Sequence, residues 1–235
     1  MRTVLTRSAS SLMAWLALMA LHSTAQAGTI SNVEPNNTFG TAQVIPSSAF
    51  TQEFNPFIGT GGGGSFVNTS TTMPHVTILR PGAGETTANF DFFRITTFQS
   101  GIIVADIDNT PTPTNFNTVL HLFNSAGVLL ATNDNEVGVG PGDLQPPNLI
   151  GGLEDSRIET GILPPGDYVL AVAKSPSKGL DGGDVTDPIP EFGSYTLNIS
   201  AEGIPATTEP SALALMGVGA GGLVGFCAWR RRKRA

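Results

Sequence analysis

Apolar and polar positions alternate over short runs in the middle of the chain, as in strands that turn one face towards a core. Leu120 and Leu122, for example, flank His121, which places the imidazole on the solvent side of its strand as a surface histidine. Such runs, together with continuous runs rich in β-branched and aromatic residues, predict strands at 74–80, 91–97, 101–107, 118–123, 128–132, 157–162, 167–173 and 194–200.

Turn-forming residues separate the predicted strands. NSAG at 124–127 ends in Gly127, which suits a positive φ, and LPPGD at 163–167 contains the Pro-Gly pair of a type II turn. No comparably long stretch has a helical period. Short strands at this spacing predict a single all-β domain over residues 28–200, an antiparallel sandwich or barrel in which one face of each strand is directed inward.

The N-terminus has the layout of a secretory signal peptide. Arg2 and Arg7 precede an apolar run at 12–21, and AQA at 25–27 follows at the distance of a cleavage site. A membrane anchor is the alternative, but a helix of this run rises only about 15 Å, roughly half of a bilayer core. Residues 1–27 are therefore predicted to be removed on export.

A second apolar segment lies at the C-terminus. Residues 211–229 contain no charged side chain, and as a helix they span about 28 Å, enough to cross a bilayer core. The tail 230–235 is basic, and such clusters stay on the cytoplasmic side of a membrane. The sequence predicts an exported domain that the linker 201–210 joins to a transmembrane helix.

Charge is distributed unevenly between these segments. The whole chain has a net charge of −7, but the part between the predicted signal peptide and the membrane helix keeps five basic residues against nineteen acidic ones, a net charge near −14. A surface of this sign repels nucleic acid phosphates, which excludes a nucleic-acid partner, and it favours cations. The only cysteine, Cys227, lies in the predicted membrane helix, so the exported domain folds without disulfides.

The predicted exported domain carries little catalytic chemistry. Its histidines are His75 and His121, it contains no cysteine, and no Gly-x-Ser-x-Gly elbow is present. Typical zinc sites are excluded for the same reason. The sequence therefore predicts a protein that is not an enzyme and has no catalytic residues, with an unrecognised hydrolase as the alternative.

Oxygen ligands are better represented than catalytic groups. NVEPNNT at 32–38 brings Glu34, Asn36 and Asn37 close together, and Asp91 follows Asn89 in the extended segment NFDFFRI. Ca²⁺ takes about six to eight oxygen ligands from carboxylates, amides and carbonyls. These blocks indicate a calcium site, with solvated turn residues as the alternative interpretation.

Five motifs follow one another along the chain: EPNNTFGTAQ, DFFRI, NTVLHLFNSAGVLLATNDNE, DSRIETGILPPGDYVLAVA and GSYTLNIS. This succession resembles the bacterial pre-peptidase C-terminal domain family over most of residues 32–200. The resemblance implies a single jelly-roll-like β-sandwich of a kind often appended to secreted proteases, some relatives of which bind collagen or carbohydrate.

The resemblance also implies metal ligands, because in calcium-binding relatives the Glu-Pro-Asn segment and the Asp of the Asp-x-Phe block contribute them. Asn89 stands where the family more often has Asp, so one carboxylate is missing here. Carried over by position, with the last two at positions that are typically acidic in the family, the implied set is Glu34, Asn36, Asn37, Asp91, Asp134 and Asp155.

The C-terminus resembles the PEP-CTERM sorting signal, which combines a Pro-Glu-Pro-like motif, an apolar helix and a basic end. Here the motif is Thr208, Glu209 and Pro210, with Thr in place of the first Pro. The resemblance implies recognition by an exosortase, a transpeptidase-like membrane enzyme of Gram-negative bacteria that export exopolysaccharide. A permanent membrane anchor is the alternative fate of this tail.

Together these features predict an exported, surface-sorted, non-catalytic β-sandwich that is stabilised by calcium and acts as a binding or matrix component with a polysaccharide or matrix ligand. The protein would pass through an inner-membrane-anchored intermediate to the cell surface or the extracellular space. A domain that assists a protease or another hydrolase is one alternative, and a purely structural matrix protein without a specific ligand is another.

Overall fold

The computed structural model describes residues 28–61, 66–82, 88–108, 116–135 and 155–206. The predicted signal peptide 1–27, the Thr208-Glu209-Pro210 motif, the helix 211–229 and the tail 230–235 lie outside these residues. In the described part, no helix has the length and apolar character that a membrane crossing requires.

The described chain is built from strands and two short 3₁₀ turns, Phe39–Thr41 and Ser47–Ala49. In chain order the strands are β1 (Thr29–Ser31), β2 (Gln43–Val44), β3 (Gly59–Thr60), β4 (Val67–Asn68), β5 (His75–Arg80), β6 (Asp91–Thr97), β7 (Ile103–Asp108), β8 (Thr118–Asn124), β9 (Leu129–Asn133), β10 (Arg157–Glu159), β11 (Gly166–Lys174), β12 (Gly179–Leu180), β13 (Asp184–Val185) and β14 (Tyr195–Ala201).

Two five-stranded sheets form a sandwich in the described residues. Sheet A has the order β1-β5-β14-β7-β10, and sheet B has the order β2-β6-β11-β8-β9. Each of the eight strands that the sequence predicts is present, although β10 ends at Glu159 rather than at 162. The predicted all-β sandwich is therefore confirmed for this part of the chain.

The N-terminal segment departs from the predicted antiparallel arrangement. β1 pairs in parallel with β5 at the edge of sheet A, and β2 pairs in parallel with β6 at the edge of sheet B. The segment between β1 and β2 thus crosses from one sheet to the other. Both strands have only two or three residues, too few for a periodic sequence signal.

The main core lies between the sheets. Leu197 on β14 is paired with Ile78 and Ile107 in sheet A, and Leu170 on β11 is paired with Phe93 and Leu122 in sheet B; all six side chains are buried in one cluster. Burial of each such side chain contributes about 1.5–3 kcal/mol. This apolar layer stabilises a domain whose described residues contain no cysteine.

The outer face of sheet B is also covered, contrary to the expectation that only one face of each strand is directed inward. Phe92, Phe123 and Val169 form a second buried cluster on that face, with Phe39 and Val185 packed against it. Sheet A is contacted on β10 as well, since the backbone N–H of Gly61 donates to Glu159 Oε2 at 2.9 Å. Short peripheral elements therefore cover the outer face of sheet B and contact the edge of sheet A.

Candidate functional site

A buried ion pair joins the two sheets at one end of the core. Arg80 is the last residue of β5 in sheet A, and Asp91 is the first residue of β6 in sheet B. Arg80 Nε lies 2.9 Å from Asp91 Oδ2, and both side chains are fully buried. Arg80 continues the inward phase of Val76 and Ile78, which explains why its side chain enters the interior.

Neutral polar groups form most of the surroundings of this pair, and the Glu34 carboxylate also lies beside Asp91. Arg80 Nη1 donates to the carbonyl oxygen of Gly193, and Nη2 donates to Asn89 Oδ1 at 2.7 Å. The hydroxyl of Tyr195, which is paired with Arg80 in the sheet, donates to Asp91 Oδ2 at 2.5 Å. The guanidinium thus has acceptors on several sides.

The N-terminal segment docks against the same place. Asn89 Nδ2 donates to Glu34 Oε1 at 3.0 Å, and Glu34 Oε2 accepts from the backbone N–H of Asn36 at 3.0 Å. The carbonyl of Asn36, a fully buried residue, accepts from the N–H of Phe92 at 2.9 Å. We call Glu34, Arg80, Asn89, Asp91 and Tyr195 the Arg80 cluster.

Burial controls the ionisation of the Arg80 cluster. It raises the pKa of Asp91 to about 7; the Arg80 charge and the bond from Tyr195 lower this pKa, and the neighbouring Glu34 carboxylate raises it further. Burial also raises the pKa of Tyr195 well above its usual value, and the nearby Asp91 carboxylate adds to this rise. The phenol is therefore a hydrogen-bond donor at neutral pH.

The structure brings part of the implied metal set together and separates the rest. Glu34, Asn36 and Asp91 lie in or beside the Arg80 cluster, and Asn37 follows in the same segment. Three strand spacings across sheet B, roughly 14 Å, separate β9 and the adjoining Asp134 from β6. Asp155 precedes β10, at the far edge of the other sheet, so these two acids cannot share an ion with Asp91.

The Arg80 cluster does not fit a calcium ion as its side chains are arranged. The guanidinium takes Asp91 Oδ2, and both Glu34 oxygens accept hydrogen bonds from nitrogen donors. Within the described chain, no three His, Cys, Asp or Glu side chains are grouped closely enough to hold a metal ion. Asp91 Oδ1 is buried without a hydrogen-bond partner among the described residues, but a divalent ion on that oxygen would lie close to the fixed positive charge of Arg80.

His121 is fully buried, so its assignment as a surface histidine is wrong. The imidazole does lie on the outer face of sheet B, but β12 covers it. Ser177 Oγ donates to the Thr186 carbonyl at 2.6 Å and therefore accepts from His121 Nε2 at 3.0 Å, while Nδ1 accepts from Thr132 Oγ1 at 2.8 Å. Burial lowers the pKa of His121 to about 4, so the ring is neutral at pH 7.

The contact between Ser177 and His121 has the wrong direction for nucleophilic catalysis. A general base must accept the hydroxyl proton of its nucleophile, whereas here the imidazole N–H donates to the serine oxygen. The other histidine, His75, is buried at the start of β5, where burial lowers its pKa. That the protein is not an enzyme stays a prediction.

An apolar cavity of about 150 Å³ lies beside β2, lined by residues that include Val44, Phe50, Phe98 and Ile204. Small-molecule sites usually have volumes of about 300 Å³ or more and a few convergent polar groups. This cavity is therefore too small for a sugar chain.

Comparisons with known proteins place the sandwich only in general terms. No family model and no curated protein matches the chain. Solved structures that are similar include the pre-peptidase C-terminal domain of collagenase from Bacillus anthracis, with 12% identity over 55% of this chain and 87% of that chain and a TM-score of 0.29.

Two further structures cover more of the chain. PliG from Aeromonas hydrophila, a periplasmic inhibitor of g-type lysozyme, is 9% identical over 75% of this chain and 99% of that one, with a TM-score of 0.25. The copper-binding secreted protein MopE from Methylococcus capsulatus is 10% identical over 74% and 99%, also with a TM-score of 0.25. Scores this low carry no conclusion about function.

Proposed function

We propose that the protein is an exported, non-catalytic β-sandwich that is sorted to the cell surface and serves as a binding or matrix component associated with exopolysaccharide. The observation that carries this proposal is that buried polar side chains bond to one another and to the backbone of the fold. In the described residues, the Arg80 cluster and the His121 network bond to the fold itself. Their side chains fix strands and hairpins together, which supports a structural role for these polar groups.

The termini supply the rest of the proposal. A secretory signal at 1–27 exports the acidic domain, and the apolar segment 211–229 with its basic end holds it in the inner membrane. An exosortase then processes the chain at Thr208-Glu209-Pro210. The calcium ion that the sequence indicates is not part of this proposal, because Arg80 already supplies a positive charge 2.9 Å from Asp91.

The test is the cellular fraction of the protein and the mass of its C-terminus. We expect surface or extracellular protein whose mass lacks the segment after about Pro210. The matched control is the double variant Glu209→Ala with Pro210→Ala, which should stay intact in the inner membrane. Full-length wild-type protein in the inner membrane would instead establish a permanent anchor.

The ligand class is tested on the wild-type protein with a screen of glycans and matrix proteins. Saturable binding to a polysaccharide or a matrix protein supports a binding component. A uniform lack of saturable binding supports a purely structural role in the matrix and removes the binding part of the proposal.

A further inference from the structure

The Arg80 cluster contains two carboxylates and one permanent positive charge. Glu34 comes from the N-terminal segment, Asp91 from sheet B and Arg80 from sheet A, so three separate parts of the fold meet there. An arginine does not lose its proton in a protein, and a buried carboxylate without a partner charge is strongly destabilising. The guanidinium therefore supplies the counter-charge that this junction needs.

Asn89 links the guanidinium to Glu34. Because arginine can only donate, the oxygen of the Asn89 amide must face Arg80, and the amide nitrogen then donates to Glu34 Oε1. An aspartate at this position could accept from Arg80 but could not donate to Glu34, and it would add a third carboxylate beside those of Glu34 and Asp91, which already lie together. Asn89 and Arg80 are thus a matched pair of residues.

We propose that Arg80 is a built-in cation that holds the N-terminal segment to the sandwich in place of a metal ion. Its guanidinium pairs with Asp91 directly and reaches Glu34 through Asn89, and Glu34 in turn orders the backbone at Asn36. The domain is accordingly independent of calcium. This inference does not depend on the proposed function.

The wild-type protein gives the first test. We expect the full-length protein to show the same Tm in millimolar calcium and in EDTA, and calorimetric titration with CaCl₂ to show no saturable binding. A rise in Tm of several degrees in calcium, or saturable binding, would overturn the proposal. Magnesium serves as the control for a general effect of divalent ions on an acidic protein.

Variants of Arg80 test the role of its charge. Arg80→Met keeps much of the side-chain volume but leaves Asp91 without its partner, and we expect Tm to fall by about 10 °C. Arg80→Lys keeps the charge and should lower Tm by less. If Arg80→Met melts at the wild-type temperature, the guanidinium is not needed and the proposal is wrong.

The double variant Arg80→Met with Asn89→Asp places a carboxylate at position 89 and removes the cation at position 80. We expect calcium to raise its Tm by about 5 °C at a concentration of about 100 times Kd, while the wild-type Tm does not move. A double variant that folds but ignores calcium would contradict the view that Arg80 holds the place of a metal ion. If neither variant folds, the wild-type titration still decides.

Discussion

The environment of His121 ties the stability of the sandwich to pH. The imidazole lies between sheet B and β12, and its two nitrogens are bonded to Thr132 and Ser177. Burial lowers its pKa from 6.5 to about 4, with Asp134 acting in the opposite direction. As pH falls through this interval, the unfolded chain binds a proton at His121, whereas the folded protein does not. The contribution of the neutral, buried imidazole to the free energy of unfolding is fully present above pH 6.5 and is lost towards pH 4.

The variant His121→Gln isolates this effect because its side chain keeps one donor and one acceptor but does not titrate. We expect the difference in free energy of unfolding between wild type and variant to fall by about 3 kcal/mol from pH 6.5 to pH 4. Urea denaturation of both proteins across this range measures it. Taking the difference cancels Asp91, whose raised pKa acts with the opposite sign. Parallel stability curves would show that His121 titrates normally in the fold.

At the scale of elements, a hairpin whose two strands have only two residues each decides which surface of sheet B is buried. The alternation around His121 correctly predicts that the ring lies on the outer face of β8, but a strand does not encode what packs on top of it. β12 and β13 are too short to produce a period in the sequence. For the same reason the long strands could be predicted, whereas the second apolar layer around Phe123 could not.

Gly179 in β12 gives a prediction about this packing. A Cβ at this position would lie 2.8 Å from His121 Nδ1 and 2.9 Å from Leu129 Cδ1, so the hairpin would have to move off sheet B. We expect Gly179→Ala to lower the free energy of unfolding by about 1–3 kcal/mol. Gly161→Ala is the control, because a Cβ there meets no atom within 4 Å and should change stability by less than about 1 kcal/mol. Equal effects of the two substitutions would mean that β12 is not held against the sheet.

At the scale of the whole molecule, the sequence predicts which segments form the strands of the sandwich but not how those strands pair. The two oxygen-rich blocks do bring Glu34, Asn36 and Asp91 into one place. Arg80 could be recognised only by its inward phase after Val76 and Ile78, and a charged residue at a strand end is normally exposed. Arg80 and Asp91 become partners because strands of different sheets meet in the fold, and local sequence patterns do not predict such contacts.

The order of strands within the sheets predicts where the molecule is most resistant to opening. β14 lies between β5 and β7, and β11 lies between β6 and β8, so each must break hydrogen bonds on both sides to exchange its amides. β9 is an edge strand, and its residues are partly or largely exposed. We expect amides of β11 and β14 to exchange at least about tenfold more slowly than those of β9 in hydrogen-exchange mass spectrometry. Equal protection of β9 and β11 would show that the sandwich opens as one unit, without a separate step at its edge.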